Sequence, residues 1–197
     1  MRSLIAKYIV KPFKSFPYLG RFRFWCLYLS YKITGWHIRD VEWDFVLDYL
    51  PKLDKWQASK VLDVGCSRNL FCHEVISRGY KLYGVDLEKP GFEYPGSFLL
   101  WDIRTKNKML SNFDFVTCIS VLEHIEEGKN DALYQMINCL SVGGRLLITI
   151  PTKDFAQGHP WDGFTRKEFE NILPNNCKIS NCIEKKGQFC MAIERTE

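Results

Sequence analysis

The alternation of apolar and polar positions divides the chain near residue 50. Before that point the pattern is helical, broken by Pro12, Pro17, Gly20 and Gly35. Leu4, Ile5, Tyr8 and Ile9 share one side of a helical wheel, and Arg2, Lys7 and Lys11 lie mostly elsewhere around it. Trp43, Val46, Leu47 and Leu50 repeat the spacing until Pro51, which lacks the amide a helix needs, stops it. Beyond Pro51 short β-branched runs alternate with helical ones. Lys60 to Val64 reads as a strand running into Gly65, Phe71 to Ser77 as a helix ending at Gly79, and Lys81 to Asp86 as a second strand. Ser97 to Trp101, Phe113 to Ile119 and Arg145 to Ile150 follow as strands three to five. A helix from Asp131 to Leu140 and a Gly143-Gly144 turn lead into the fifth. Near-continuous apolar strands between helices predict a parallel sheet covered on both faces.

The pattern changes once more after Pro151. A loop rich in Gly, His and Trp gives way to a helix whose start is legible: Thr165 followed three residues later by Glu168 is a capping-box spacing, and Pro174 ends the helix. Two strand-like runs, Lys178 to Ile183 and Phe189 to Ile193, meet at Lys185-Lys186-Gly187 and predict a hairpin that finishes the sheet with antiparallel pairing. The predicted organisation is an α/β domain over residues 51–197, preceded by a basic, aromatic helical extension or cap over residues 1–50.

Composition narrows this only a little. A chain of 197 residues suits one α/β domain with a short extension. No run reaches the ~20 apolar residues of a membrane span, and Lys7, Lys11 and Lys14 interrupt any secretory signal. The eight cysteines form no C-x-x-C pair, and Cys66, Cys118 and Cys139 fall in or beside core-like segments. Reduced thiols in the cytoplasm are therefore expected, with no metal centre. Charge is more informative. Residues 1–39 hold eight cations and no acid, so the net charge of +4 leaves the remainder at −4.

The chemistry gathers at the ends of the first three strands. Strand one ends in Asp63-x-Gly65 and strand two in Gly84-Val85-Asp86, the two aspartates 23 positions apart, close to the ~20 residues that separate such positions across one βαβ unit. Gly65 allows a ligand close to the backbone. Asp86 can accept both hydroxyls of a ribose, and Asp102, closing strand three, can accept the exocyclic amine of adenine. Each acid also has a plain alternative as a turn or helix cap. Asp114 reads as a turn residue before strand four.

Several ordered pieces resemble class I S-adenosylmethionine-dependent methyltransferases, over roughly residues 58–151. Val61-Leu62-Asp63-Val64-Gly65-Cys66 is similar to the first motif of that family, Gly84-Val85-Asp86 to the second, and Trp101-Asp102-Ile103 to the adenine-contacting acid motif. Phe113-Asp114-Phe115-Val116 with Ser120-Val121-Leu122-Glu123-His124-Ile125 resembles the fourth strand and its loop, and Gly143-Gly144-Arg145-Leu146-Leu147-Ile148 the entry to strand five. The resemblance implies a Rossmann-like fold and S-adenosyl-L-methionine as cofactor. It places Gly65 and the backbone from Cys66 to Asn69 along the methionine portion, Asp86 on the ribose and Leu87 against the adenine. Asp102 would take the adenine amine with Ile103 beside it, and Ser120 would present backbone to the methionine end. Asp63 would organise the loop or reach the amino group through water. The loop departs from the family in reading Cys66-Ser67-Arg68-Asn69 where further glycines are usual. Side chains there would narrow the pocket if they faced it, and Asn69 suits the left-handed backbone a glycine would supply.

Methyl transfer from a sulfonium needs alignment and exclusion of water, and a base only when the acceptor arrives protonated. His124, after strand four, and His159, in Gly158-His159-Pro160-Trp161-Asp162-Gly163 after strand five, are the candidates. Either has an ordinary alternative in supporting its loop. The N-terminal cations interleave with Phe13, Phe16, Tyr18, Phe22, Phe24 and Trp25. They admit a cap over the sheet, a peripheral membrane contact through residues 1–25 serving a lipid-linked acceptor, or a nucleic-acid surface that no RNA-binding module supports. The expected activity is methylation of a small-molecule or lipid-linked acceptor. Alternatives are a degenerate binding or scaffold domain and a nucleic-acid methyltransferase. A nicotinamide dehydrogenase is disfavoured because G-x-G-x-x-G is absent.

Overall fold

The computed structural model describes residues 40–54, 56–68, 71–158 and 163–197. Helix α1 (Asp40–Tyr49) leads by way of an irregular stretch to β1 (Lys60–Val64). Then follow α2 (Phe71–Ser77), β2 (Lys81–Asp86), β3 (Ser97–Leu100), β4 (Phe113–Ile119), α3 (Lys129–Cys139) and β5 (Leu140–Pro151). The chain closes with the short α4 (Lys153–Ala156), α5 (Arg166–Asn171), β6 (Cys177–Lys185) and β7 (Gln188–Arg195). The strands form one seven-stranded sheet in the order β3-β2-β1-β4-β5-β7-β6. β1 to β5 pair in parallel, while β7 runs antiparallel to both β5 and β6. This is the expected Rossmann-like sheet with its antiparallel finish.

Why these segments became strands is visible in their burial. β1 is inaccessible from Val61 to Val64, because the sheet carries helices on both faces and neither side of the strand meets water. On one face Leu133, Met136 and Ile137 of α3 and Phe169 of α5 cover Val116, Leu146 and Ile148. On the other Trp43 and Val46 of α1, Leu50 just after it, and Phe71 and Val75 of α2 cover Val61, Leu82 and Leu147. Trp43 is fully buried and meets Phe71 edge-on at 5.7 Å. Truncating so large a buried ring typically costs about 3–5 kcal/mol. Asp114 is structural, but it lies within β4 and not in a turn before it: its Oδ2 accepts from the Ser59 hydroxyl and the Lys60 amide, both at 2.8 Å, which ties the start of β1 to β4.

Several ends shift by a few residues and a short helix, α4, occupies the start of the expected loop after Pro151; two differences have a physical reason. The Gly143-Gly144 pair is not a turn before the strand. β5 starts at Leu140, and its pairing with β4 shifts register between Phe113 and Phe115. Gly143 takes φ +79° there, and a side chain on Gly144 would come within 2.9 Å of the Phe113 carbonyl. The glycines thus make an irregularity inside a strand that tertiary pairing holds together. Strand three ends at Leu100, and the Trp101 amide donates to the Asp86 carbonyl at 2.9 Å. The capping box at Thr165 forms as expected, and Lys186 and Gly187, with φ 52° and 74°, make the tight turn of the β6–β7 hairpin. No helix among the described residues is long and apolar enough to cross a membrane.

Candidate cofactor site

Parallel pairing brings the carboxyl ends of β1, β2, β3 and β4 to one edge, and the strand order reverses between β1 and β4. That reversal opens the crevice in which α/β sheets of this kind bind ligands. A cavity of about 310 Å³ lies there, walled by residues that include Gly65, Asp86, Leu87, Trp101, Asp102, Ile103, Val121 and His124. Gly65, Asp86, Leu87, Asp102, Ile103 and His124, six of the positions singled out from the sequence, therefore share one cavity.

The wall at β1 is set by Gly65. Its φ of +76° is left-handed, and an added Cβ would lie 2.2 Å from Val121 Cγ2, so only glycine fits beneath the loop that follows β4. Its amide donates to the Val85 carbonyl at 2.9 Å, which stitches the ends of β1 and β2 together. A 3₁₀ turn, Cys66–Arg68, follows. Cys66 and Ser67 are buried and do not line the cavity, so their side chains do not narrow it. The Cys66 thiol turns instead toward Gly84 and Tyr94, and burial with the nearby Asp63 and Asp86 carboxylates pushes it up. The Ser67 hydroxyl donates to the Glu88 carbonyl. Asn69 lies outside the described residues.

Asp86 is held ready. Its Oδ2 accepts from the Ser67 amide at 2.9 Å and its Oδ1 from the Glu88 amide at 3.1 Å. A carboxylate offers about four acceptor sites, so each oxygen retains capacity for a ribose hydroxyl. Leu87, directly beyond, is 64% exposed, an apolar surface on the cavity wall suited to a flat ring. With Trp101, Ile103, Val121 and Ile125 it forms an apolar slot. Asp102 lies at the far end with its carboxylate chelated by Arg104, whose Nε sits 3.0 Å from each oxygen and whose Nη2 sits 2.7 Å from Oδ2. Hydrogen bonding from Arg104 holds Asp102 below the usual carboxylate range. Sequence reasoning missed Arg104, an exposed cation directly after the Trp101-Asp102-Ile103 motif but not part of it. Trp101, Val121 and Ile125 stood inside the recognised motifs, yet nothing in their order showed that they would face the ligand.

Asp63 lies behind the wall. Thr117 Oγ1 donates to its Oδ1 at 2.8 Å, while Oδ2 has no hydrogen-bond partner among the described residues. Burial pushes its carboxyl up to about 7, against the lowering effect of Thr117. A buried acceptor without a donor is the kind of group an ammonium or its bound water would complete. Ser120, at the end of β4, has a left-handed backbone with φ +49°. Its amide donates to the Thr149 carbonyl and to Thr149 Oγ1, both at 3.1 Å. His124 stands exposed on the cavity rim in the 3₁₀ turn Leu122–His124. His159 is outside the described residues, as is the segment from 1 to 39.

The apolar slot and the prepared acid at the end of β2 fit an adenosyl ligand. Comparison with known proteins agrees. A family model described as a methyltransferase domain matches residues 36–176, more than half of the chain. The chain belongs to that methyltransferase-domain family.

Among individual relatives, the tRNA U34 carboxymethyltransferase of Mannheimia succiniciproducens is 27% identical over 183 residues, covering 80% of this chain and 54% of that protein. A mitochondrial ubiquinone biosynthesis O-methyltransferase of Schizosaccharomyces pombe is 23% identical over 118 residues, covering 54% of this chain and 43% of that one. The chain thus spans about half the length of the curated relatives it matches. The crystal structure of the N-methyltransferase NodS from Bradyrhizobium japonicum with S-adenosylhomocysteine superposes with a TM-score of 0.63 at 16% identity, covering 81% of this chain and 87% of that one. At that identity the likeness is one of fold.

Proposed function

We propose that the chain transfers the methyl group of S-adenosyl-L-methionine to a small-molecule or lipid-linked acceptor. One observation carries the cofactor half of this reading: the Asp86 carboxylate is fixed by two backbone amides at the rim of an apolar slot. When bound, the cofactor supplies an activated methyl on a positive sulfur. The protein's own work is to orient and to dry. Asp86 would hold the ribose hydroxyls, Leu87, Ile103 and Val121 would offer apolar surface to the adenine, and Asp102, shared with Arg104, would accept from its amine. Gly65 lets the methionine portion pass close to the backbone, and Cys66 and Asn69 contribute backbone beside it. Asp63 balances the amino group from behind, and Ser120 presents its backbone to the same end. His124 on the rim, with His159 from the loop after β5, accepts a proton from an acceptor that arrives as a hydroxyl or ammonium.

The test is calorimetric binding of S-adenosylhomocysteine and S-adenosylmethionine. Asp86→Ala should weaken both by ~10–100-fold, because hydrogen bonds to a charged group contribute about 1.5–3 kcal/mol, while the thermal midpoint stays near that of the parent. Unchanged affinity would sink the assignment. His124→Ala and His159→Ala should slow turnover far more than they weaken cofactor binding.

A second reading, methylation of a nucleic acid, is favoured by the tRNA-modifying relatives and by the eight cations in residues 1–39. Labelled methyl donor offered with separated lipid, small-molecule and RNA fractions distinguishes the two. Label in RNA, lost as salt rises, selects the second. Label in the lipid fraction, with binding to anionic vesicles through residues 1–25, selects the first.

A further inference from the structure

Glu42 is a buried carboxylate on α1, an element that precedes every recognised motif, and no local pattern marks it. Its Oε1 accepts from the Ser120 hydroxyl and, at 3.1 Å, from the Thr149 hydroxyl. These partners stand side by side at the sheet edge, since β4 and β5 pair Ile119 with Thr149. Thr149 Oγ1 in turn accepts from the Ser120 amide. The result is a closed triangle of hydrogen bonds: Ser120 amide to Thr149, Thr149 to Glu42, and Ser120 hydroxyl to Glu42.

The triangle encloses a backbone that a serine does not adopt without support. Ser120 sits at φ +49°, in the region where a Cβ crowds its own backbone. That left-handed step turns the chain sharply at the end of β4 and lays Val121 over Gly65, with their contact so close that no side chain fits on Gly65. It then carries His124 and Ile125 to the cavity wall. If Ser120 relaxed, the first residues to move would be those that shape the slot. Strained conformations of this kind persist only where the surroundings over-determine them, and here a helix far away in sequence provides the last constraint.

We propose that Glu42 is a positioning residue for the cofactor wall: it holds Ser120 in the left-handed conformation, and through it sets Val121, His124 and Ile125 against Gly65. The proposal rests on the reading of this cavity as the S-adenosylmethionine site. It implies a reciprocal coupling, in which a ligand that fixes the 121–125 wall also fixes α1.

Two readouts separate this from a general loss of packing. Amide hydrogen exchange of residues 120–125 in the ligand-free protein reports on the clamp alone, and S-adenosylhomocysteine affinity reports on its consequence. Glu42→Ala removes the acceptor of both hydroxyls and should speed exchange there and weaken affinity at least about tenfold, the scale of losing even one hydrogen bond to a charged group. Glu42→Gln keeps an accepting oxygen and should stay within about threefold of the parent. Adding Ser120→Gly to Glu42→Ala should restore affinity to that of Ser120→Gly alone, because glycine holds the same backbone without a clamp.

Unchanged exchange and affinity in Glu42→Ala, a glutamine variant as weak as alanine, or no rescue by glycine would each overturn the proposal. Should Glu42→Ala fail to fold, exchange in Glu42→Gln decides: parent-like protection at 120–125 supports the clamp and accelerated exchange rejects it. If the parent protein binds neither S-adenosylmethionine nor S-adenosylhomocysteine, the cofactor reading fails, while the exchange arm still tests what Glu42 does to Ser120.

Discussion

At the scale of single residues, the site depends on backbone conformations that particular side chains permit. Gly65 combines a positive φ with a neighbour in the way of any Cβ. Gly65→Ala should cost about 2–5 kcal/mol, summing a left-handed alanine (roughly 1–2) with overpacking against Val121 (roughly 1–3). Urea unfolding checks the figure. Val121→Ala in the same background should recover the packing part and leave the strain. Gly65 was legible as a functional residue because strand-Asp-x-Gly is a local pattern. Arg104 and Glu42 were not. Their meaning lies in what they touch, Asp102 for one and Ser120 with Thr149 for the other, and those contacts span helix, strand and loop.

Elements repeat the lesson with different physics. Where a signal is local, the sequence locates it: the Thr165–Glu168 box, the Gly79 stop of α2 at φ +94°, and the hairpin at Lys186-Gly187 all appear where their chemistry put them. The Thr165 box fixes α5, which carries Phe169 into the core and borders the loop after β5. Glu168 accepts from the Thr165 amide and hydroxyl and from Lys153, the last contact contributing most to drawing its carboxyl down to about 2. Thr165→Ala should lower stability by about 1 kcal/mol, the usual cost of a lost N-cap, seen as a lower denaturation midpoint with an unchanged slope. The glycine pair at 143–144 illustrates the opposite case. Its composition said turn, but pairing of β5 with β4 on either side of it, at Leu140 and again from Arg145, absorbed it as an irregularity within a strand.

For the whole molecule, the sheet determines what titrates. Asp63 is completely enclosed between β1 and β4, and its carboxyl is raised from 3.8 to about 7. A folded-state value above the unfolded one means that the native protein binds the extra proton between those limits. Stability is then greatest below about pH 4 as far as this group is concerned, falls as pH rises toward 7, and is level above it. Asp63→Asn should flatten that slope in denaturation measured from pH 4 to 8. A ligand bearing an ammonium group should bind better above pH 7, when the carboxylate can oppose it, and the asparagine variant should lose that dependence.

The α/β class, the order of the strands and of every helix but the short α4, the antiparallel finish, and the acids and glycine that close the first three strands are all legible in the chain. They rest on periodicity or on short motifs whose physics acts within a few residues. Which way each side chain faces is settled by tertiary packing. It turned Cys66 and Ser67 inward, so that neither side chain narrows the cavity. It engaged Asp102 with Arg104, left one oxygen of Asp63 without a donor among the described residues, and brought Glu42 across the sheet edge to Ser120. Burial and left-handed backbone are set by neighbours distant along the chain, and a linear pattern carries no record of them.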